Sequence, residues 1–266
     1  MDVSLSEISA SFDARAEGYN QNDWHKVCAE RLVRFGGVEP GQVVLDAGTG
    51  TGFAAIAAAR ALGRQGRVVA VDLSAGMLNV ARQLPLDSGC APVEWVQGNA
   101  FELSAYPAAT FDVVLSAAAL LYMPVPTALA EWHRLLRPGC TIAVSSMRAG
   151  FPVAGRVFRD CAAQHGFQLA DPSAALGTGS MCHSVLRSAG FSDTAVISER
   201  VSFTAQDVGM AWASNLGSAA HEAVRKADPD TVARIKAGFA QALAEEERRC
   251  PGATSSAEVL FARGTR

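Results

Sequence analysis

A turn of alternating glycines, Gly48-x-Gly50-x-Gly52, follows a short apolar run ending in Asp46 and precedes an alanine-rich stretch that begins at Phe53. A strand, a glycine turn and a helix in that order expose backbone without side chains, against which a nucleoside ligand can lie closely. The spacing separates the possible ligands. A phosphate-cradling loop would end in Gly-Lys-Ser/Thr, whereas this one continues Gly52-Phe53-Ala54. A dinucleotide loop places its third glycine five residues after the first, and Phe53 stands there. Asp46, at the strand end, suits a ligand that carries positive charge better than a pyrophosphate. S-adenosylmethionine (SAM), with its ammonium and sulfonium, has that character. The next strand ends in Asp72, where an acceptor-only carboxylate can take two hydrogen bonds from ribose hydroxyls, a feature shared with NAD folds.

Groups able to move a proton are less well marked. His25, His133, His165, His183 and His221 are each candidates for a general base, and each also reads as an ordinary surface or core histidine. Tyr19, Tyr122, Trp212 and His221 are better placed than His133, and Tyr19, Tyr122 and His221 are taken as the catalytic candidates. Tyr122 and Met123 follow a strand whose carboxyl end this kind of sheet turns toward ligand. The six cysteines are scattered without a C-x-x-C pair, which predicts reduced thiols and calls for no metal.

The elements that must position these groups alternate from Glu39 onward in the pattern of a parallel sheet with helices on its faces. Strands are predicted at Val43–Ala47, Arg67–Asp72, Val93–Gln97, Phe111–Ser116 and Thr141–Ser146, and helices at Phe53–Leu62, Ala75–Leu84 and Thr127–Leu136. Trp24, Val27, Cys28, Leu32 and Phe35 recur at helical spacing, so a helix over 23–35 is expected on the domain edge, where it can also cover the site. Strand content returns at Ala195–Phe203 and Ala257–Ala262. Between them, Asp228-Pro229 offers an N-cap and a first-turn proline for an inserted helix carrying Val232, Ile235, Phe239 and Leu243 on one face. Gly177-Thr178-Gly179-Ser180 reads as a flexible connection from which a lid can start.

The 266 residues, 49% hydrophobic and 18% charged, are enough for one substantial core with decorations. A net charge of −3 supplies no basic stripe for nucleic acid, and a small, partly apolar molecule is the better partner. The start, Met1 to Glu7, lacks a basic leader and apolar stretch, so a cytoplasmic location is expected. Val113 to Ala130 runs without a charge, but Pro124 and Pro126 interrupt it and its alanines dilute it, so no membrane span is predicted. A homodimer is left open.

Taken in order, Val43–Gly52, the run Val68 to Leu78, Gly98-Asn99-Ala100, Phe111–Ser116 and Leu136-Arg137-Pro138-Gly139 resemble the class I SAM-dependent methyltransferase family, in particular its small-molecule branch of quinone and natural-product enzymes. The resemblance covers most of the chain. It implies an α/β fold, a Rossmann-like seven-stranded, mostly parallel sheet with helices on both faces. An N-terminal helical segment (1–38) would precede a methyltransferase domain (39–266) with helical cap insertions at about 151–190 and 204–250. It further implies SAM as cofactor, held by Asp46, Ala47, Gly48, Thr49, Gly50 and Gly52 of the glycine loop, with Asp72 on the ribose and Leu73 and Met77 flanking the adenine. Gly98, Asn99 and Ala100 would form the adenine loop, Ala100 giving its backbone N–H and Asn99 standing where the family usually has aspartate. The main chain of Ser116 and Ala117 would face the SAM amine. Phe12-Asp13-x-x-Ala16-x-x-Tyr19 is similar to the family's opening segment, whose tyrosine closes over the cofactor.

The implied activity is transfer of a methyl group to an O, N or C atom of a small, partly hydrophobic molecule, of the kind made in secondary metabolism. A fold and a cofactor site do not fix a reaction. A non-methylating relative that keeps SAM while its pocket catalyses a cyclisation or rearrangement, and a binding module without turnover, stand as alternatives.

Overall fold

The apolar runs of the sequence become neighbouring strands of one sheet. The computed structural model describes residues 4–21 and 23–266; Met1–Val3, part of the chain start read above, lie outside the described residues. Three helices open the chain: α1 (Leu5–Asp13), α2 (Ala16–Tyr19) and α3 (Asp23–Gly36). Strands and helices then alternate: β1 (Val43–Ala47), α4 (Phe53–Leu62), β2 (Arg67–Asp72), α5 (Ala75–Gln83), β3 (Val93–Gln97), β4 (Phe111–Ala117), α6 (Val125–Leu135) and β5 (Leu136–Met147). After α7 (Val153–Ala163) and α8 (Gly179–Ser188) come β6 (Ser192–Ser202), the helices α9 (Ala205–Gly209), α10 (Ala211–Leu216), α11 (Glu222–Arg225) and α12 (Pro229–Arg249), and finally β7 (Ser256–Thr265).

The sheet order is β3-β2-β1-β4-β5-β7-β6, with β1 to β5 parallel and β7 antiparallel to both of its neighbours. The chain order reverses between β1 and β4. That switch point leaves a crevice beyond the strands' carboxyl ends, where open α/β sheets take their ligands. Alternate residues of the near-continuous apolar strands fill opposite faces, as expected of a sheet covered on both sides. Leu45, Val69, Val71 and Val114 pack with Leu129, Trp132 and Leu135 of α6 and Leu186 of α8. Val44, Val68, Val113 and Leu115 pack with Leu32 and Val33 of α3 and with the alanines of α4.

Three expectations are corrected. The helix over Asp23–Gly36 lies on the sheet face with Leu32 fully buried, because its apolar stripe has α4, β4 and β5 to cover it; it is not an edge helix. The Gly177–Ser180 stretch is no flexible connection. Thr178 accepts from the Met181 N–H and caps α8, which lies against β6 and β7, so the later part of the 151–190 segment belongs to the sheet layer. Leu136–Gly139, expected to precede the fifth strand, is its first part, with Leu136 paired to Phe111.

A third apolar cluster stands apart from the sheet. Val157, Phe158 and Cys161 of α7 meet Val224 of α11 and Ile235 and Phe239 of α12, with Trp212 of α10 against them. The uncharged run from Val113 is divided among β4, a 3-10 turn at Leu120–Tyr122 and α6. Among the described residues, no helix is long and apolar enough to cross a membrane.

Candidate active site

The glycine loop leaves β1 at Ala47 and is tied back at once: Gly48 and Thr49 both donate their N–H to the Val71 carbonyl at 2.9 Å. Gly48 has φ of 76°. A Cβ there would stand 2.4 Å from Ala119 Cβ and 3.1 Å from Met123 Cε, so the close approach of the two loops requires glycine. At Gly50, with φ of 55°, a Cβ would meet nothing within 4 Å, so its side-chain direction opens on free space. Asp72 locks the turn, one carboxylate oxygen accepting from Gly50 N–H at 2.7 Å and the other from Ser74 N–H at 2.9 Å. Burial pushes the Asp72 carboxyl up, opposed by those hydrogen bonds.

Around this turn lies a cavity of about 80 Å³. Of the residues expected on the cofactor, it brings together Gly48, Gly50, Asp72, Leu73, Met77, Asn99, Ala100 and Ala117, along with Tyr19 and Tyr122. Asp46, Ala47, Thr49, Gly52, Gly98 and Ser116 are not in its lining. Their positions have structural reasons. Asp46 is fully buried and accepts the Thr49 hydroxyl at 2.6 Å, which braces the loop from behind; burial raises its carboxyl to about 7. A Cβ on Gly52 would meet the Trp95 ring at 2.6 Å. Asn99 accepts from Phe101 N–H and donates to Glu102, an Asx-type turn that shapes the loop, while the Trp132 indole donates to the Ala100 carbonyl at 2.8 Å and anchors it.

The opening segment from Phe12 to Tyr19 was expected over the site; sequence reasoning missed the helix before it. Leu5, Ile8, Ser9 and Phe12 of α1 line the same cavity, and Ser74, Phe101, Ala118, Ala119 and Met123 complete it. The signal was present: Ser4 and Glu7 form a reciprocal capping box, and Leu5, Ile8 and Phe12 follow on one helical stripe. Asp13, just inside the end of α1, accepts from the Ser74 hydroxyl at 2.5 Å and Gly76 N–H at 2.8 Å, and Ser9 donates to the Leu73 carbonyl. These bonds hold α1 over the carboxyl end of β2.

A second, larger cavity of about 430 Å³ lies among the N-terminal helices, the turn after β4 and the helices α7, α9 and α10. Phe12, Tyr19, Ala118 and Tyr122 line both cavities and so form the boundary between them. The Phe12 and Tyr122 rings meet edge to face at 5.2 Å, and Tyr19 stacks on His25 at 4.4 Å. Burial pushes both tyrosine hydroxyls above their ordinary value, so at neutral pH they are neutral donors rather than bases.

His221 lines the second cavity only, at 4% exposure. Its ring stacks on Phe158 at 4.8 Å and its Nδ1 lies 2.7 Å from the Asn215 carbonyl. A carbonyl can only accept, so Nδ1 carries the proton and Nε2 the lone pair; burial lowers the pKa and keeps the ring neutral. His133 is remote, its ring edge-on to Phe191.

Residues 44–139 match the family model described as a methyltransferase domain. The chain is 33% identical over 147 residues to a 2-phytyl-1,4-naphtoquinone methyltransferase of Nostoc sp., covering 52% of this chain and 64% of that protein. It is 30% identical over 163 residues to the protein of the same name from Synechococcus elongatus, covering 57% and 68%. The chain thus spans just under two thirds of the first of these relatives. A solved structure from Anabaena variabilis, a candidate methyltransferase from an antibiotic biosynthesis pathway, superposes with a TM-score of 0.63 at 18% identity, over 90% of this chain and 96% of that one. At that identity the likeness is one of fold.

Proposed function

The chain belongs to the class I SAM-dependent methyltransferase family, and on that premise we propose that it moves a methyl group from SAM to an oxygen, nitrogen or carbon atom of a small, partly hydrophobic molecule in secondary metabolism. The observation that carries the reading is the pair of cavities. One is built on the glycine loop and Asp72, the other is roomier and mixes aromatic walls with polar side chains, and they share a boundary of four residues. The site fits the cofactor by its own chemistry: backbone that only glycine can bring this close, open space beside Gly50, and a carboxylate at the end of β2.

When bound, SAM supplies a methyl group already activated on positively charged sulfur. Gly48 and Gly50 would lie against its methionine part, Asp72 would accept from the ribose hydroxyls, and Leu73, Met77, Asn99 and Ala100 would surround the adenine. Phe12, Tyr19 and Tyr122 would shape the passage through which the acceptor meets the methyl group and keep water from it. Positioning two reactants in a dry pocket lowers a barrier by about 7–11 kcal/mol in favourable cases, so a strong base is not required for an acidic acceptor. Of the three catalytic candidates, the two tyrosines position and donate, while neutral His221 is the one able to take a proton.

Action without a nucleic-acid partner is part of this proposal, supported by the net charge of −3, and so is a cytoplasmic location, supported by six unpaired cysteines. A homodimer is compatible with it, since both cavities are built from one chain. The test is calorimetry with SAM followed by incubation with labelled SAM and a panel of phenols and quinols. Binding that Asp72→Ala weakens at least about tenfold, the loss of one charge-assisted hydrogen bond or more, with labelled product and S-adenosylhomocysteine in equal amounts, is the expected result. Unchanged affinity in Asp72→Ala would overturn the ribose assignment, and acceptor conversion without S-adenosylhomocysteine would favour the cyclisation reading.

A further inference from the structure

Arg15 is the one lysine or arginine among the residues that line the second cavity. It is half-buried, and what holds it in place is not an acid. Its Nε donates to the Ser11 carbonyl at 3.0 Å and its guanidinium lies over the Phe12 ring at 4.6 Å. Gly217 leaves room for its stem, since a Cβ there would stand 3.2 Å from Arg15 Cδ. Among the described residues Arg15 forms no ion pair, and its two terminal nitrogens have no hydrogen-bond partner. The Tyr122 hydroxyl is in a similar condition. It belongs to a residue that lines both cavities, it makes no hydrogen bond among the described residues, and burial keeps it protonated. Arg15 is near enough for its charge to oppose that effect of burial.

The two acids on the same lining do not answer that charge. Asp171 is paired with Arg159 at 2.9 Å. Asp207 accepts from the backbone N–H and hydroxyl of Thr204 with one oxygen, and its other oxygen is buried. A cation drawn half out of water, with its outer donors unused, is best satisfied by an anion that only accepts. The planar fork of a guanidinium matches the two oxygens of a carboxylate, and the neutral tyrosine hydroxyl adds a further donor. A carboxylate is ionised at neutral pH without help from a base, whereas a phenol keeps its proton and presents no charge. Trp24, Phe151 and Phe203 offer aromatic surface to the rest of the molecule. We propose that the acceptor bears a carboxylate on an apolar body, whichever of its atoms is methylated, and that the terminal nitrogens of Arg15 and the Tyr122 hydroxyl bind that carboxylate at the boundary between the cavities. Arg15 is thereby a specificity-determining residue. The inference rests on the methyltransferase reading only in taking the second cavity as the acceptor's place.

The experiment titrates 2-naphthoate, 3-phenylpropanoate and decanoate, each beside its neutral carboxamide, into the full chain at neutral pH with S-adenosylhomocysteine present, and includes 2-naphthol as a neutral hydroxyl. At least one acid should bind on the order of tenfold more tightly than its amide, and 2-naphthol should bind no better than 2-naphthamide. Arg15→Gln, which keeps a donor for the Ser11 carbonyl, should abolish the preference for the acid. Arg15→Lys, which keeps the charge but not the fork, should retain part of it, and Tyr122→Phe should reduce it. The acid-to-amide ratio is the readout, because a general loosening of the cavity lowers both affinities together. Three pairs without a preference for the acid, whether bound equally or not at all, would overturn the proposal, and so would full preference in Arg15→Gln or 2-naphthol binding as tightly as the favoured acid. Failure of S-adenosylhomocysteine to bind the wild-type chain would instead sink the methyltransferase reading, while the acid-to-amide ratio measured without it still tests Arg15.

Discussion

Three glycines in left-handed backbone allow the glycine-loop argument to be tested by subtraction. Gly41, with φ of 88°, has nothing within 4 Å of an added Cβ and lies before β1, away from both cavities. Gly41→Ala therefore meets backbone strain alone, about 1–2 kcal/mol, partly offset by a less flexible unfolded chain, about 0.4–1 kcal/mol. Gly50→Ala has the same balance at φ of 55°, but its methyl group projects where the cofactor is expected. Gly48→Ala adds a collision: 2.4 Å to Ala119 Cβ is more than about 1 Å inside a normal carbon contact. The loop cannot yield easily, since the Ala119 and Leu120 carbonyls accept from Tyr122 and Met123 N–H. Overpacking of that kind costs about 1–3 kcal/mol, so Gly48→Ala should lie that far below Gly41→Ala in denaturant melts. At about 2–4 °C per kcal/mol for a chain near this size, the gap is readable by thermal unfolding as well. Calorimetry should then show SAM affinity unchanged for Gly41→Ala and reduced at least about tenfold for Gly50→Ala, a loss of about 1.4 kcal/mol. Wild-type SAM affinity in Gly50→Ala, or equal stability of Gly48→Ala and Gly41→Ala, would refute the reasoning.

Two further perturbations probe the supports behind the site. Burial holds the Asp46 carboxyl at about 7 in the folded chain, against an unfolded value near 4. A folded pKa above the unfolded one means the native state binds the proton more tightly, so stability contributed by protonated Asp46 is full below about pH 4 and is lost as pH rises to about 7. Without SAM, Asp46→Asn should flatten the decline in melting temperature between pH 5 and 7, and an unchanged slope would show that another group sets it. Trp132→Phe removes the indole that donates to the Ala100 carbonyl and leaves that buried acceptor unpaired. It should cost about 1–3 kcal/mol in denaturant melts and weaken SAM binding by loosening the Asn99–Ala100 loop; full stability together with full affinity would argue against that role for the bond.

Local and distant information separate clearly in this chain. The runs Val43–Ala47 and Arg67–Asp72 were legible to the residue, because a strand buried on both faces reads as a near-continuous apolar segment between turn residues, and the edge strand Val93–Gln97 was legible from its short β-branched and aromatic run. The places of Gly48 and Gly50 in the turn and of Asp72 at the end of β2 were legible because each depends only on position relative to a neighbouring strand. Asp46 looked like a ligand contact, and its place behind the loop followed only from the Thr49 hydroxyl 2.6 Å away. The helix α3 was found, but nothing in its stripe says which surface will cover it. The second cavity was illegible for a stronger reason: Trp24, Phe151, Asp207 and His221 reach it from four separate parts of the chain, so no window of sequence contains the pattern.

The boundary between the cavities ties these levels together. Ala118, at the end of β4, has φ of 52° and donates its N–H to the Ser145 hydroxyl of β5. That turn carries the chain from the sheet into the 3-10 turn that places Tyr122 between the cavities. Phe12 and Tyr19 reach the same boundary from the N-terminal helices, whose attachments include Ser9 to Leu73, Asp13 to Ser74 and Gly76, and Ser11 to the Gly217 carbonyl beside α10. One side of the boundary is therefore fixed by the sheet, while the other is fixed through α1 to the wall of the first cavity at Leu73 and to the helices around the second at Gly217. A substitution that loosens α1 should thus disturb both cavities together, whereas one in α9, remote from that link, should change acceptor selection alone.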